Sequence, residues 1–119
     1  MRNPLGVVLV EGPSMLPTLR RGDCLLVRRR ARVRAGDVVV ARFRARPALL
    51  VVKRALAPAE GGWLLAGDNP AVEGQGLTRG VGDVEALVVL RWWPLPPRRL
   101  ARAAVSWPAG PGVAGGGVA

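Results

Sequence analysis

The sequence predicts a single, mostly β domain, and three observations carry that prediction. Apolar runs of four to eight residues, rich in valine, recur along the chain and are bounded by Gly, Asp, Pro and Arg. No window of helical length between residues 36 and 90 keeps a 3.6-residue apolar period. At 119 residues, half of them hydrophobic, the chain fits one compact core and little more.

Taken in order, the strand candidates are residues 7–10, 24–27, 38–43, 49–52, 63–66 and 86–90. Each is short enough for a strand and too short for a helix. All four aspartates, Asp23, Asp37, Asp68 and Asp83, follow a glycine. Three of these Gly-Asp pairs stand just before an apolar run and read as turns that launch strands. One short helical turn is expected near residues 15–20, with Pro17 in its first turn. Residues 1–93 form the expected domain. Residues 94–119 hold five Pro and five Gly and read as a disordered tail. Within that tail, residues 100–107 could make a short amphipathic element that touches a membrane or a partner, the plain alternative being a solvated tail.

Composition excludes much familiar chemistry. With no His, no Tyr and one Cys, the chain has no Ser-His-Asp triad, no Cys-His dyad, no His-ligated metal and no internal disulfide. No cofactor is expected. The net charge of +10 raises a nucleic-acid or anionic-membrane partner. Of the 18 basic residues, however, 17 are arginine, beside abundant Ala, Gly, Val and Pro, which reads as compositional drift across the whole chain. The exception, Lys53, then gains interest, because lysine can lose its proton in a protein and arginine cannot. The densest run, Arg28, Arg29, Arg30, Arg32 and Arg34, could bind phosphate or anionic lipid, against the plain reading of a solvated hairpin loop. No aromatic residue interleaves it, so no specific nucleic acid is expected. There is no apolar run long enough to span a membrane, and residues 1–10 are too short for a signal peptide, which makes a cytoplasmic location the expectation.

Two segments could carry chemistry. Glu11-Gly12-Pro13-Ser14-Met15-Leu16-Pro17-Thr18-Leu19 breaks a strand with Gly-Pro and presents Ser14 at a corner, where it is either an exposed nucleophile or a helix N-cap. Lys53 sits in an apolar strand. It is either a desolvated amine, neutral enough to take a serine proton, or an edge-strand lysine whose head reaches water. Ser14 and Lys53 are the conventional nucleophile and base of the strand-rich body, Ser106 lying in the tail. A third segment, residues 62–70, reads as a strand ending in a turn whose Asp68 and Asn69 bond their own backbone.

Taken together, residues 12–19 with Gly22-Asp23, then Gly36-Asp37-Val38-Val39-Val40, Val52-Lys53-Arg54 and Gly67-Asp68-Asn69 resemble the successive boxes of the signal peptidase I family of serine proteases, over about residues 7–94. The resemblance implies a mostly β catalytic domain with a Ser/Lys dyad: Ser14 as nucleophile, Lys53 as general base, Met15 at the cleft, the Ser14 amide as oxyanion donor, and Gly67, Asp68 and Asn69 as support of the site. Only 13 residues precede Ser14, and no room exists for the large second domain common in that family. Those departures, with Gly61-Gly62-Trp63 between the lysine strand and the Gly-Asp-Asn turn, make the chain similar to the short, anchorless branch that matures nickel-type superoxide dismutase. The implied partner is a protein precursor that offers an extended N-terminal segment. The family's next stretch matches here only at Thr78, Arg79 and Gly80, so the hydroxyl that orients the lysine is either Thr78 or missing. The other readings are a signal peptidase with peripheral membrane contact through Met15, Leu16 and the tail, and an arginine-rich nucleic-acid binder on a degenerate peptidase core. The self-cleaving SOS repressors share part of the fold, but no helix-turn-helix segment precedes the serine box.

Overall fold

A computed structural model describes residues 3–72 and 78–103. All six apolar runs lie wholly or in part within strands: β1 Leu5–Leu9, β2 Cys24–Arg29, β3 Val38–Phe43, β4 Val51–Ala59, β5 Gly62–Ala66 and β6 Arg79–Trp93, followed by the two-residue β7 Arg98–Arg99. Every pairing is antiparallel, in the order β1-β2-β6-β3-β4-β5. β5 also pairs with β6, so β3, β4, β5 and the first half of β6 close on themselves as a small barrel. Closure removes the free edges that an open sheet would expose. The second half of β6 runs on past the barrel, with β2 on one edge and β7 on the other.

β3 explains why the sequence carries an unbroken apolar run at residues 38–41. Its side chains alternate between two cores: Val38 and Val40 join Val10, Met15, Leu19, Leu25, Val27, Ala86 and Val88, while Val39, Ala41 and Phe43 join Ala55 and Leu65 inside the barrel. A strand buried on both faces has no polar alternation to show. Burial of a Phe43- or Leu25-sized side chain is worth roughly 1.5–3 kcal/mol relative to exposure. The two cores therefore fix β3 on both sides.

The Gly-Asp pairs divide. Gly22-Asp23 and Gly36-Asp37 are turns as expected, with Gly22 and Gly36 at φ 93° and 94°. In each, the buried aspartate accepts the amide three residues back, Arg20 N to Asp23 at 2.9 Å and Arg34 N to Asp37 at 2.9 Å. Gly82-Asp83 launches nothing, because it lies inside β6. Gly82 pairs with both Phe43 and Trp63 where the barrel closes, and a Cβ there would meet the Arg42 carbonyl oxygen and the Leu65 side chain.

Three further expectations are corrected. Residues 15–20 form hydrogen-bonded turns, with one i to i+4 bond from Leu19 N to Met15 O at 2.9 Å. Pro13 and Pro17 bring no N–H with which to continue a helix, and the one 3-10 helix among the described residues is Pro70–Val72. The arginine run is not a hairpin loop, because β2 and β3 are not neighbours but flank β6. Residues 94–103 belong to the fold rather than to a tail. β7 pairs with β6, Leu100 packs on the larger core, Arg102 Nε donates to Asp37 at 2.7 Å, and Ala103 N donates to Gly36 O at 3.1 Å. Residues 100–103 are extended and form no amphipathic helix. The rest of the expected tail, with Ser106, lies outside the described residues.

Gly36 joins these observations, since its φ is positive and the Ala103 carbonyl fills the space a Cβ would need. Gly36→Ala is therefore expected to destabilise the protein by about 2 kcal/mol or more. Urea unfolding measures this, and a loss below about 0.5 kcal/mol would show that residues 98–103 are not clamped there.

Candidate active site

The turn that carries Ser14 is held from below and from the side. Met15 and Leu19, almost fully buried, anchor it in the larger core. The Gly67-Asp68-Asn69 segment holds it laterally: Asn69 N donates to Ser14 O at 2.9 Å, and Asn69 Nδ2 donates to Pro13 O at 3.0 Å. Gly67 faces the Ser14 backbone so closely that a Cβ would collide with the Ser14 carbonyl oxygen. Glycine at position 67 is thus required by the close approach of the two segments. Asn69 keeps the turn expected of it, its Oδ1 accepting Ala71 N at 3.0 Å.

Asp68 does something sequence reading missed. Its carboxylate spans Arg54, which donates through Nε at 3.1 Å and Nη2 at 2.5 Å, and accepts Thr18 Oγ1 at 2.5 Å. Arg54 is buried and spends its remaining Nη1 on the carbonyls of Gly36 at 2.9 Å and Ala101 at 3.1 Å. A buried arginine needs this many acceptors to offset lost hydration. The signal was visible in part, since Thr18 and Arg54 both lie within the boxes quoted above. Their contact with each other's partner, across 50 and 14 residues of chain, was not.

Lys53, on β4 opposite Val39 of β3, is only 5% exposed. Its Nζ lies 2.6 Å from Ser14 Oγ. Both plain alternatives fail on this geometry: Lys53 does not reach water, and Ser14 Oγ caps no backbone amide among the described residues. Burial pushes the Lys53 pKa below its ordinary value, because the ammonium form loses hydration and no carboxylate is paired with it among the described residues. Thr78 does not supply a second contact, its Oγ1 being buried without a hydrogen-bond partner. The expected site residues Ser14, Met15, Lys53, Gly67, Asp68 and Asn69 thus meet in one place, and Thr78 does not join them.

A cleft of about 410 Å³ opens beside the pair, lined by Val8, Val10, Met15, Leu50 and Val52 as well as Ser14 and Lys53. One wall is β1, which pairs with β2 alone and leaves its other edge free. The opposite wall is the start of β4, whose residues 51–53 pair with β3 but not yet with β5. Apolar side chains and free strand edges suit an extended peptide. No group of His, Cys, Asp and Glu among the described residues could hold a metal ion.

The family model of the Peptidase S24-like proteins matches residues 2–89. The chain belongs to this family. Membership supports a peptidase, a hydrolase of the superfamily that includes the signal peptidases. Searches of curated proteins and of solved structures gave no significant match. No helix among the described residues is long and apolar enough to cross a membrane.

A lowered lysine pKa has a consequence for stability. Between the folded-state pKa and the ordinary 10.5, the unfolded chain holds the extra proton, so stability rises with pH through that window. Lys53→Met removes the buried amine and is expected to unfold at higher temperature than the parent near pH 6–7, with the gap closing toward about pH 10. Parallel melting curves for the two proteins across that range would contradict a desolvated lysine.

Proposed function

We propose that the protein is a serine endopeptidase that works through a Ser14/Lys53 dyad and removes an N-terminal extension from a precursor protein. The single observation that carries this reading is the 2.6 Å approach of a buried, solvent-starved amine to a serine hydroxyl, at the floor of a peptide-sized cleft. Family membership supports the same class of reaction.

The chemistry follows from the two groups. Neutral Lys53 accepts the Ser14 proton as Oγ attacks the scissile carbonyl, forming a tetrahedral oxyanion. The Ser14 N–H makes no hydrogen bond among the described residues and is the proposed donor to that oxyanion. Collapse expels the amine, which takes the proton back from Lys53, and leaves an acyl-enzyme. Water then attacks the ester, with Lys53 again holding the proton, and Ser14 is restored. Gly67 and Asn69 support the reaction by fixing the Ser14 backbone, and Asp68 by tying Arg54, next to Lys53, to Thr18, four residues beyond Ser14. The peptide enters extended, between the free edges of β1 and β4.

The substrate we propose is the precursor of a nickel-type superoxide dismutase, on the strength of the resemblance in residues 12–69. Incubation with that precursor and sequencing of the new N-terminus tests the assignment. Ser14→Ala and Lys53→Ala are each expected to reduce cleavage by about 10³-fold or more. For the parent, kcat/KM should rise with pH through the lowered Lys53 pKa, since only the neutral amine accepts a proton. Retained cleavage in both variants would overturn the dyad; a competent enzyme that leaves this precursor intact would overturn only the substrate.

A further inference from the structure

The arginine run has a structural setting that composition does not explain. Arg28 and Arg29 end β2, and residues 30–37 then carry Arg30, Arg32 and Arg34 toward β3, past the strand that lies between. On the opposite edge of β6, β7 brings Arg98 and Arg99, with Arg102 three residues on. Between the two lies a pocket of about 510 Å³. Its charged walls are Arg28, Arg30, Arg32, Arg99 and Arg102, over a floor that includes Val89 and Leu100.

The pocket's one carboxylate is already committed. Asp37 accepts Arg102 Nε at 2.7 Å and Arg34 N at 2.9 Å. Arg28, Arg30, Arg32 and Arg99 have no side-chain hydrogen bond or ion pair among the described residues. Arginines on other strands do have carboxylate partners, Arg42 with Glu85 at 2.7 Å, Arg44 with Asp83 at 2.9 Å and Arg54 with Asp68 at 2.5 Å. A general drift toward arginine would scatter unpaired guanidinia over the surface. Here four of them face one concavity, brought from two segments some 70 residues apart in the chain.

Like charges gathered in this way repel, and a multivalent anion would relieve that repulsion. Guanidinium groups are the side chains best matched to phosphate, because their planar forks donate two hydrogen bonds at once. We propose that this pocket binds a multiply charged phosphate group. Two sources share that chemistry: a soluble polyphosphate chain, and the phosphate headgroup of an anionic lipid. The compact, concave shape favours such a group over a nucleic-acid duplex, which needs a long basic track and gains nothing from a closed pocket. The site is separate from the cleft beside Ser14, so its occupancy is testable without any peptidase activity.

The test titrates inorganic tripolyphosphate into the full chain by calorimetry at near-physiological salt. Saturable binding at one site per chain is expected. The triple variant Arg28→Gln, Arg32→Gln, Arg99→Gln should weaken it by about tenfold or more, each lost fork removing charge-assisted hydrogen bonds. A control triple, Arg20→Gln, Arg21→Gln, Arg46→Gln, removes the same charge outside the pocket and should change affinity by less than about threefold. Melting temperatures of all three proteins without ligand confirm that each is folded. Sedimentation with phosphatidylglycerol vesicles separates the sources: vesicle binding displaced by tripolyphosphate assigns the lipid headgroup, and tripolyphosphate binding without vesicle binding assigns the soluble anion. Equal weakening in the two triples, absence of saturation, or stronger competition by duplex DNA than by tripolyphosphate would overturn the proposal.

Discussion

The approach of Lys53 Nζ to Ser14 Oγ at 2.6 Å is the contact on which the rest of this structure depends. A lysine buried without a counter-charge is expensive, and proteins seldom keep one unless its neutral form is used. Here the neighbouring carboxylate, Asp68, is fully engaged by Arg54 and Thr18 and leaves Lys53 uncompensated. Had Asp68 faced Lys53 instead, the ammonium form would be favoured and the amine would be useless as a base. The pairing of Asp68 with the adjacent residue therefore protects the chemistry as well as the fold.

The architecture around that contact serves it from several directions. β3, buried on both faces, gives β4 a rigid partner and so fixes Lys53. Met15 and Leu19 pin the Ser14 turn into the larger core, and the Gly67-Asp68-Asn69 segment closes over it. Arg54 ties these parts to the Gly36-Asp37 turn and to residues 101–103, which lie beyond the stretch matched by the family model. The catalytic domain thus ends later than its most recognisable residues suggest.

Much of this was legible in the sequence, for identifiable reasons. Strands with apolar runs of their own, such as β3, announce themselves locally. The pair Ser14 and Lys53 followed from what the chain lacks, because removing histidine leaves few ways to activate a hydroxyl. What escaped was information held between distant residues. β6 was read as a turn and a five-residue strand because Gly80 and Gly82 look like punctuation, whereas they mark where two strands close on a third. Residues 94–103 were read as tail because Pro, Gly and Arg dominate locally, although Arg102 and Ala103 find partners some 65 residues away. The salt bridge of Arg54 with Asp68 was likewise hidden in two boxes that the chain brings together only on folding.

Because the protein has a single lysine, the central claim can be tested at one atom. Direct NMR titration of the Lys53 side chain, in protein labelled with 13C and 15N on lysine, reports its protonation without substrate and without assigning other lysines. The account predicts a titration midpoint clearly below the ordinary 10.5, shifted in that direction by burial and still depressed in Ser14→Ala, where the apolar surroundings remain. A midpoint at or above 10.5 would show that Lys53 keeps its hydration or finds a counter-charge, and would contradict its role as a neutral base.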